Sequence, residues 1–397
     1  MSRLLQINVA SNRGSTGRIV ELISNLALGA GWDCYVAHGV RYASKTNAKD
    51  ISIGNLGSEM IHGLYSYLFD RHGLGSVSAT KKFSQIIKQI KPDIVHIHNL
   101  HGYYINYRIL FNSLKALDVP IVWTLHDCWP FTGHCAYFKG GICDEWENGC
   151  QLCPSRSKYP GALLSFSEKN YALKKEIFTS ISSDKLLIAP VSRWLAQLVE
   201  KSFLGSYDVE VIHNGVDIDK FKPLHFERNQ KKILLGVAYQ FSERKGLVDF
   251  IKLASLFPDN YQLILVGVDK KDISSLPGNI TGVHRTENQE ELVRYYSMAD
   301  VFINPTYEDN FPTTNIEALA CGTPIITYRT GGSPEAIDGD TGRVVERGDI
   351  AGVLNAIREF DEMDRYDIQL KCRRRAEKLF DQKKCFMKYL DIYNRYC

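Results

Sequence analysis

Long apolar runs are missing from this sequence, and none approaches the ~20 consecutive apolar residues that a membrane-spanning helix needs. The opening residues, MSRLLQINVA, pass directly into a strand-like pattern and lack the apolar core of a signal peptide. These absences predict a protein of the cytoplasm, and they leave room for peripheral contact with the inner face of the membrane.

Charge of one sign is equally scarce, because 48 basic residues stand against 45 acidic residues and the net charge is +3. A nearly neutral chain has no basic footprint for nucleic acid, so we expect a small-molecule partner and no nucleic acid. A chain of 397 residues is too long for one ordinary core and predicts two domains of similar size.

Cysteine is scarce outside one segment, since five of the ten cysteines fall between residues 128 and 153. A chain-wide disulfide framework is therefore not expected in a reducing compartment. A structural zinc ion with four thiolate ligands fits the local cluster, with His134 as a substitute ligand; two labile disulfides or inert thiols are the alternatives. Four protein ligands would leave such a zinc ion no open coordination position for catalysis, so it would be structural. No catalytic cofactor is expected. The four candidate ligands are Cys135, Cys143, Cys150 and Cys153.

Short Val- and Ile-rich runs recur between helix-length spacers, as a parallel sheet covered on both faces requires. The pattern occurs twice and predicts an α/β fold of two Rossmann-like domains facing across a cleft. The first predicted domain is 1–215 and contains a Cys-rich insertion at 128–154. The second predicted domain is 216–375, and the hinge between the two lies in 213–232. A helix at 376–397 is predicted to pack back on the first domain. The runs are LLQINV, DCYVAHG, DIVHIHN, PIVWTLHD, LLIAPVS and VEVIHNG, then KILLGVA, YQLILVG, ADVFINP and TPIITYR.

The turn after the first strand, SNRGSTGRI, lacks the Gly-x-Gly-x-x-Gly spacing of a dinucleotide-binding oxidoreductase, and no acidic residue for a cofactor ribose follows. The sequence therefore argues against that enzyme class. A Gly-x-x-Gly turn by itself is weak support for any ligand, because many tight strand-to-helix turns use glycine.

Residues 306–324, TYEDNFPTTNIEALACGTP, place carboxylates at the N-terminus of a predicted helix that follows a predicted strand. Pro312 suits the first helical position, and the amides of residues 313 to 315 are then available to a phosphate. Asp309 and Glu317 are natural acceptors for sugar hydroxyls. The alternative is that these carboxylates only complement the helix dipole.

Asp309, seven residues and Glu317, followed by ALACGTPIITYRTGGSPEAI, resemble the C-terminal signature of the GT-B fold, family 4 retaining glycosyltransferases. Further pieces fall in matching order along nearly the whole chain: GSTGRI, DIVHIHN, LHDCWPFTGHC, HNGVD and RKGL. The likeness is to bacterial enzymes that build capsule, exopolysaccharide or the O-antigen of lipopolysaccharide.

The resemblance implies metal-independent transfer of a hexose from a nucleotide diphosphate sugar to a hydroxyl of a growing, lipid-linked glycan. The donor would lie against the C-terminal domain and the acceptor against the N-terminal domain. The alternative is a zinc-stabilised, non-catalytic protein that binds a sugar nucleotide or a glycan. No protein nucleophile or general base is assigned.

The resemblance also implies roles for individual residues. The catalytic candidates are His126, Lys245, Asp309 and Glu317. The donor-binding candidates are Gly14, Ser15, Thr16, Gly17, Arg244, Lys245, Arg285, Asn310, Phe311, Thr313, Thr314 and Glu317. The chain departs from many relatives in having Asp at 309 in place of Glu, NFPT in place of a glycine-rich stretch, and Tyr239-Gln240 in place of a Gly-Arg pair. Two alternatives follow. Either Arg244 compensates for the missing arginine, or the diphosphate is held by one fewer cation.

Two further features have structural alternatives that we favour. The first is a group of three histidines, His96, His98 and His101. We expect these side chains to be buried in the sheet, or His98 and His101 to contact the acceptor where the strand ends, and we favour both interpretations over a metal site. The basic stretch KKFSQIIKQIK, residues 81–91, suggests an ordinary amphipathic helix packed on its own sheet more than a lipid-binding surface.

Overall fold

The computed structural model describes residues 1–138, 143–151, 153–226 and 231–397. It forms two compact units, the first comprising Met1–Ile212 with Phe386–Cys397 and the second comprising His213–Cys385. Parts of the predicted Cys-rich insertion (139–142 and 152) and of the predicted hinge (227–230) lie outside the described residues.

The division differs from the predicted boundaries at both ends of the second unit. Residues 213–215 belong to the second unit. There His213 Nε2 bonds to the Glu335 carboxylate at 2.9 Å, and Gly215 packs against the backbone of Gln382. The last helix begins at Gln382 and not at residue 376.

The first unit is built on seven parallel strands in the order β3-β2-β1-β4-β5-β6-β7. Val, Ile and Leu fill the central strands, which are buried on both faces as the sequence predicts. The strands are β1 Arg3–Ser11, β2 Asp33–Ala43, β3 Lys49–Ser52, β4 Ile94–Ile97, β5 Ile121–Leu125, β6 Leu186–Pro190 and β7 Asp208–Val209. The helices are α1 Gly14–Gly29, α2 Leu56–Phe69, α3 Val77–Ile90, α4 Tyr107–Leu117, α5 Ser167–Phe178 and α6 Arg193–Lys201.

The second unit has six parallel strands in the order β10-β9-β8-β11-β12-β13. The strands are β8 Lys232–Val237, β9 Tyr261–Val266, β10 Ile280–Val283, β11 Val301–Asn304, β12 Ile325–Tyr328 and β13 Gly342–Val345. The helices are α7 Leu247–Ala254, α8 Lys270–Ile273, α9 Gln289–Met298, α10 Thr313–Ala320, α11 Ile350–Asp361 and α12 Arg365–Leu379. The last helix, α13 Gln382–Tyr396, begins in the second unit and belongs to the first unit from Phe386 on. Two parallel sheets with covering helices confirm the predicted α/β class.

Helix α13 ends in the first unit, where its tyrosines meet strand residues. The Tyr393 hydroxyl bonds to His96 Nδ1 at 2.5 Å, and Thr124 donates to the Tyr389 hydroxyl at 2.8 Å. His96 is fully buried, and burial lowers its pKa well below the usual value, so it is a neutral, hydrogen-bonded core residue.

Helix α3 contains most of the basic stretch at 81–91. Its Phe83, Ile87 and Ile90 are buried. The apolar face is thus used inside the first unit, as the favoured alternative predicts, and is not available to lipid. Among the described residues, no helix is long and apolar enough to cross a membrane.

Each sheet reverses its strand order at one place, between β1 and β4 in the first unit and between β8 and β11 in the second. In open parallel sheets, ligands bind beside the carboxyl ends of the strands at such a switch point. The loops after these four strands are therefore where a site is expected in each unit.

Candidate functional site

Lys245 and Asp309 meet at the switch point of the second unit. Lys245 ends a short 3-10 turn, Glu243–Lys245, that follows β8, and Asp309 lies in the loop that follows β11. Lys245 Nζ is 2.5 Å from Asp309 Oδ2, and the side chains are 20% and 17% exposed. Residues that are 64 positions apart in sequence thus form one largely buried ion pair where an anionic ligand is expected.

The two loops are fastened to each other by the neighbouring residue, Arg244. Its carbonyl oxygen accepts a hydrogen bond from the Tyr307 amide at 2.9 Å, and its Nη1 donates to the Glu308 carbonyl at 2.8 Å. Gly246 follows at φ +73°, and a Cβ there would lie 2.3 Å from the Pro305 oxygen. The Arg244 guanidinium therefore holds the loop that carries Asp309.

A third loop, which follows β12, packs against the backbone of Asp309 and Asn310. The Gly332 amide donates to the Asn310 oxygen at 3.1 Å. Gly331 has φ +51°, and a Cβ there would lie 1.7 Å from the Asp309 oxygen, so only glycine fits. Thr330 and Ser333 in the same loop have buried hydroxyl oxygens without a partner among the described residues. Buried hydroxyls normally have partners, so this loop has unused hydrogen-bonding capacity.

Helix α10 begins one residue later than predicted. Pro312 is the N-cap with an extended ψ of 119°, and not the first helical residue, because the chain turns into the helix only at Thr313. The Asn315 amide donates to the Pro312 oxygen at 3.2 Å, so of the three amides predicted to be available only those of Thr313 and Thr314 remain for a ligand. No side chain caps this helix, which leaves its positive end open to an anion.

Glu317 is oriented by a partner that the motif does not reveal. Its Oε2 accepts a hydrogen bond from the Tyr296 hydroxyl at 2.9 Å. Tyr296, from α9, is fully buried, and burial raises its pKa well above the usual value, with the nearby Glu317 adding to the effect. The tyrosine therefore stays protonated and fixes one carboxylate oxygen.

The remaining donor-side candidates divide into an exposed pair and a buried ring. The Arg285 guanidinium stacks over the Tyr239 ring at 5.2 Å, and Tyr239 is 84% exposed. Both residues follow strands at the carboxyl edge of the sheet, β10 and β8 respectively. The Phe311 ring is buried and lies 4.9 Å from the His213 ring, so its side chain supports the loop from inside.

In the first unit, the predicted glycine loop is the first turn of a helix. Helix α1 begins at Gly14, which has φ +69°, and it has no side-chain cap. A Cβ at Gly17 would lie 3.2 Å from the Asn12 nitrogen, because the helix passes close to the preceding strand. Ser15 is exposed, and Asn8 Nδ2 donates to Thr16 Oγ1 at 3.4 Å. Residues 14–17 therefore surround an open helix N-terminus at the switch point.

His126 directly follows β5 and is joined to His98, which follows β4. Their facing nitrogens are 3.1 Å apart, and the His98 Nε2 contacts Gln6 Oε1 at 3.1 Å. Since the Gln6 amide group already donates to Val20 and Ser24, the Gln6 oxygen accepts from His98 and His98 in turn accepts from His126. Burial lowers the pKa of His126 to about 4, so it is neutral with its proton on Nε2.

A histidine–aspartate pair beside His126 was not singled out from the sequence as a unit. His101 Nε2 is 2.7 Å from Asp127 Oδ2, and His101 Nδ1 is 2.9 Å from the Tyr159 hydroxyl. Although burial raises the pKa of Asp127, the adjacent His101 outweighs it and the pKa is lowered. Adjacent numbering of His126 and Asp127 was the available signal, but the partner of Asp127 comes from the loop after β4.

The cysteine cluster is assembled only in part. Cys135 donates to the Cys153 sulfur, which lowers the pKa of Cys153 to about 6, and the Gly133 amide donates to Cys150 Sγ at 3.1 Å. All ten cysteines are free thiols. Among the described residues, no group of three or more His, Cys, Asp or Glu side chains is arranged to hold a metal ion. Zinc binding by the four thiols stays a prediction.

The loop around these thiols has its own apolar packing. The buried Trp146 ring lies 5.3 Å from Phe131 and 5.9 Å from Phe138. Lys174, also buried, donates to the Trp129 and Thr132 carbonyls at 2.6 and 2.9 Å. Aromatic packing and this lysine therefore stabilise the described part of the insertion.

Comparison with known proteins covers both units. The model for Glycosyltransferase Family 4 matches residues 18–220, and the model for Glycosyl transferases group 1 matches residues 217–379. The Escherichia coli K12 protein WcaC, named as a colanic acid biosynthesis glycosyl transferase, is 24% identical over 294 residues, which cover 71% of each chain.

Solved structures share the whole fold at low sequence identity. Sucrose-phosphate synthase from Thermosynechococcus elongatus superposes with a TM-score of 0.71 at 17% identity, covering 100% of this chain and 99% of that one. Anabaena HepE in complex with UDP-glucose gives 0.64 at 15% identity, covering 100% of both chains. These likenesses confirm the two Rossmann-like domains, and the family match, over half of the chain, confirms the resemblance seen in the sequence. This chain belongs to glycosyltransferase family 4.

Proposed function

We propose that the protein is a retaining hexosyltransferase of bacterial surface polysaccharide synthesis, which uses a nucleoside diphosphate hexose as donor and a lipid-linked glycan as acceptor. The observation that carries the proposal is the convergence of Lys245 and Asp309 at the switch point of the second unit, 2.5 Å apart. At this place an anionic ligand can replace the Asp309 carboxylate as the partner of the Lys245 ammonium group.

The diphosphate is the ligand that fits the cationic side of the site. Lys245 would turn from Asp309 to the diphosphate, while the open N-terminus of α10 offers the Thr313 and Thr314 amides. The positive charge stabilises the leaving diphosphate as the C1–O bond to it breaks. Arg244 acts on this step through the loop that it holds, since its guanidinium is bonded to the Glu308 carbonyl.

The carboxylates suit the hydroxyls of the donor. Glu317, with one oxygen fixed by Tyr296, is the carboxylate that we assign to the vicinal ribose hydroxyls, since carboxylate oxygens accept hydrogen bonds from hydroxyl groups. Asp309, once released by Lys245, has acceptor capacity for the hexose. UDP-glucose is the first donor to test, because HepE is solved with that molecule. Arg285 and the exposed Tyr239 ring offer a stacking surface for the base.

Transfer then needs no protein nucleophile. The acceptor oxygen bonds to C1 on the face that the diphosphate leaves, the bonding electrons go to the diphosphate oxygen, and the acceptor proton passes to that oxygen. Retention of the anomeric configuration follows from this geometry, and the proposal needs no metal ion for it. His126, neutral with its proton on Nε2, serves as a hydrogen-bonding partner for a sugar hydroxyl in the first unit.

The reaction partner and compartment complete the proposal. WcaC is named for colanic acid, a bacterial polysaccharide, and a growing glycan of that kind on a lipid carrier is the acceptor that we propose. Ten free thiols suit the reducing cytoplasm, with the enzyme in peripheral contact with the inner membrane face. The alternative of a non-catalytic binding protein is not favoured by membership in an enzyme family.

The test is a transfer assay with UDP-glucose, its GDP and ADP counterparts and a lipid-linked acceptor, with and without a chelator. We expect release of one nucleoside diphosphate with formation of a glycoside whose anomeric configuration, read by NMR, equals that of the donor. An inverted product would contradict the retaining mechanism. Complete loss of activity with the chelator would contradict metal independence.

A further inference from the structure

Helix α2, Leu56–Phe69, has the reverse of the usual amphipathic arrangement. The residues that it turns inward are polar, namely Glu59, His62 and Ser66. The residues that it exposes are apolar or aromatic, with exposed fractions between 42% and 72%: Leu56, Met60, Ile61, Leu64, Tyr65, Tyr67 and Phe69. Scattered single exposed apolar residues are ordinary, but a contiguous patch of this kind indicates an interaction surface.

The orientation of α2 is fixed by hydrogen bonds on its buried side. Glu59 Oε1 accepts from the Val40 amide at 2.5 Å. His62 Nε2 accepts from the Gly73 and Gly75 amides at 3.2 and 3.0 Å, and burial lowers the pKa of His62 to about 4. Turning the helix over to hide its apolar face would leave these buried groups without partners, at a cost of about 1–3 kcal/mol each.

A second segment extends the exposed face. The Leu163 amide donates to the Tyr67 oxygen at 2.7 Å, which brings the chain after the insertion alongside the end of α2. Leu163 and Leu164 are 54% and 46% exposed. The two segments together form one surface, which we call the α2 face: the exposed residues of α2 with Leu163 and Leu164.

The charges around the α2 face are mainly basic. Glu59 is the only charged residue within α2, and it points inward. Arg71 and Lys169 lie over the Phe166 ring at 5.5 and 5.6 Å, directly beyond the end of the helix. Arg156 and Lys158 are exposed in the segment that leads to Leu163, and within residues 53–76 and 154–170 the exposed acidic residue is Glu168.

We propose that the α2 face is the surface by which this protein docks on an anionic lipid bilayer. An apolar face of aliphatic and tyrosine side chains with a basic rim matches the interfacial region of such a bilayer and its acidic headgroups. A 14-residue helix is about 21 Å long and lies in the interface without spanning it. A symmetric dimer through the same face would set one basic rim against the other, so a second copy is the poorer occupant.

This inference rests on the lipid-linked acceptor of the proposed function, because docking would bring the enzyme to the membrane surface where such an acceptor is anchored. Vesicle binding itself requires neither donor nor acceptor. The outcome of a vesicle experiment is therefore independent of whether the second unit binds a nucleotide.

The test is co-sedimentation of the full chain with vesicles of phosphatidylglycerol and phosphatidylethanolamine, compared with vesicles of phosphatidylcholine alone. We expect binding to the anionic vesicles that falls by about tenfold or more in the double variant Ile61→Ser/Leu64→Ser, since each side chain contributes apolar area to the interface. The matched control is Val248→Ser/Leu256→Ser, which removes exposed apolar side chains, 49% and 56% exposed, from the second unit. This control should bind like the unchanged protein.

Two further readouts make each outcome decisive. Both double variants should keep the melting temperature and its increase with nucleoside diphosphate, because the substituted side chains are exposed. Absence of sedimentation with either kind of vesicle, or equal sedimentation of the Ile61→Ser/Leu64→Ser variant, would overturn the proposal. A dimer in analytical ultracentrifugation that this variant dissociates, without vesicle binding, would overturn it in favour of a second copy.

Discussion

The two sheets reverse their strand order in the same way, but the side chains at and beside the two switch points differ in charge. In the second unit the loops after β8 and β11 carry Lys245 and Asp309, an ion pair that is about four-fifths buried. In the first unit the loop after β4, at the switch point, carries His98, which is hydrogen-bonded to His126 after the neighbouring strand β5. Burial lowers the pKa of both histidines, so they are neutral. A Rossmann-like sheet therefore fixes where a ligand binds, while the loop residues decide whether the site suits a charged diphosphate or neutral hydroxyls.

The sharpest way to break this comparison is to remove the cation of the charged site. Lys245→Ala should lower the rate of hexose transfer roughly 100- to 1000-fold, because the leaving diphosphate loses its stabilising charge. The measurement is nucleoside diphosphate release under saturating acceptor. Lys252→Ala, at an exposed lysine of α7, is the matched control and should leave the rate unchanged. Similar rates for both variants would show that Lys245 has no part in the reaction.

The carboxylate of the same site should matter somewhat less. Glu317→Gln keeps an oxygen for the Tyr296 hydroxyl but removes the charge that strengthens hydrogen bonds from donor hydroxyls. We expect the donor KM to rise about 10- to 100-fold with a smaller change in kcat. Glu290→Gln, at an exposed position of α9, should leave both constants as they were. An unchanged donor KM in Glu317→Gln would remove this residue from the donor site.

The support of the charged site can be tested without touching its charges. Gly331→Ala would place a Cβ 1.7 Å from the Asp309 oxygen at φ +51°, so the loop must shift, at a cost of about 1–3 kcal/mol of unfolding free energy. Gly339→Ala is the matched control, since no heavy atom lies within 4 Å of a Cβ there. Weaker nucleotide binding is expected only in Gly331→Ala, by calorimetric titration. Equal binding by both variants would show that the loop after β12 does not position Asp309.

The neutral site should reveal itself through pH. His126 has a pKa of about 4 when folded and 6.5 as its ordinary value, so the unfolded chain takes up a proton first as the pH falls. Stability is therefore fully present above 6.5 and is lost towards the folded pKa, by at most about 1.4 kcal/mol per pH unit for this group. Urea unfolding of the unchanged protein and of His126→Gln over this range should show a shallower loss in the variant. Parallel losses would mean that His126 is not buried in its neutral form.

Much of the fold was accessible from sequence, because alternating apolar runs and spacers specify strands and helices directly. β8, β11 and β12 lie where their Val- and Ile-rich runs predict them. β3 and β10 were missed, since Lys49–Ser52 and Ile280–Val283 are short edge strands with exposed residues and no continuous apolar run. Helix α10 begins one residue later than predicted, because proline favours the first helical position but Pro312 has an extended ψ of 119° and the helix starts at Thr313.

The site was accessible where a motif names both residues and inaccessible where a contact joins distant segments. Asp309 and Glu317 belong to one motif, but the hydrogen bond from Tyr296 to Glu317 and the bond from Arg244 to the Glu308 carbonyl have no local signal. The reverse amphipathicity of α2 was hidden for a related reason. Its apolar residues have helical spacing, and only the three-dimensional structure shows that Glu59 and His62 take the buried side.

The central claim, a nucleoside diphosphate site built on Lys245 in the second unit, is tested most directly by thermal shift with UDP, GDP, ADP and CMP. A ligand that binds only the folded state raises the melting temperature. We predict an increase with one of the nucleoside diphosphates that is lost in Lys245→Ala and kept in Lys252→Ala. No increase with any nucleotide, or an equal increase in all three proteins, would contradict the account.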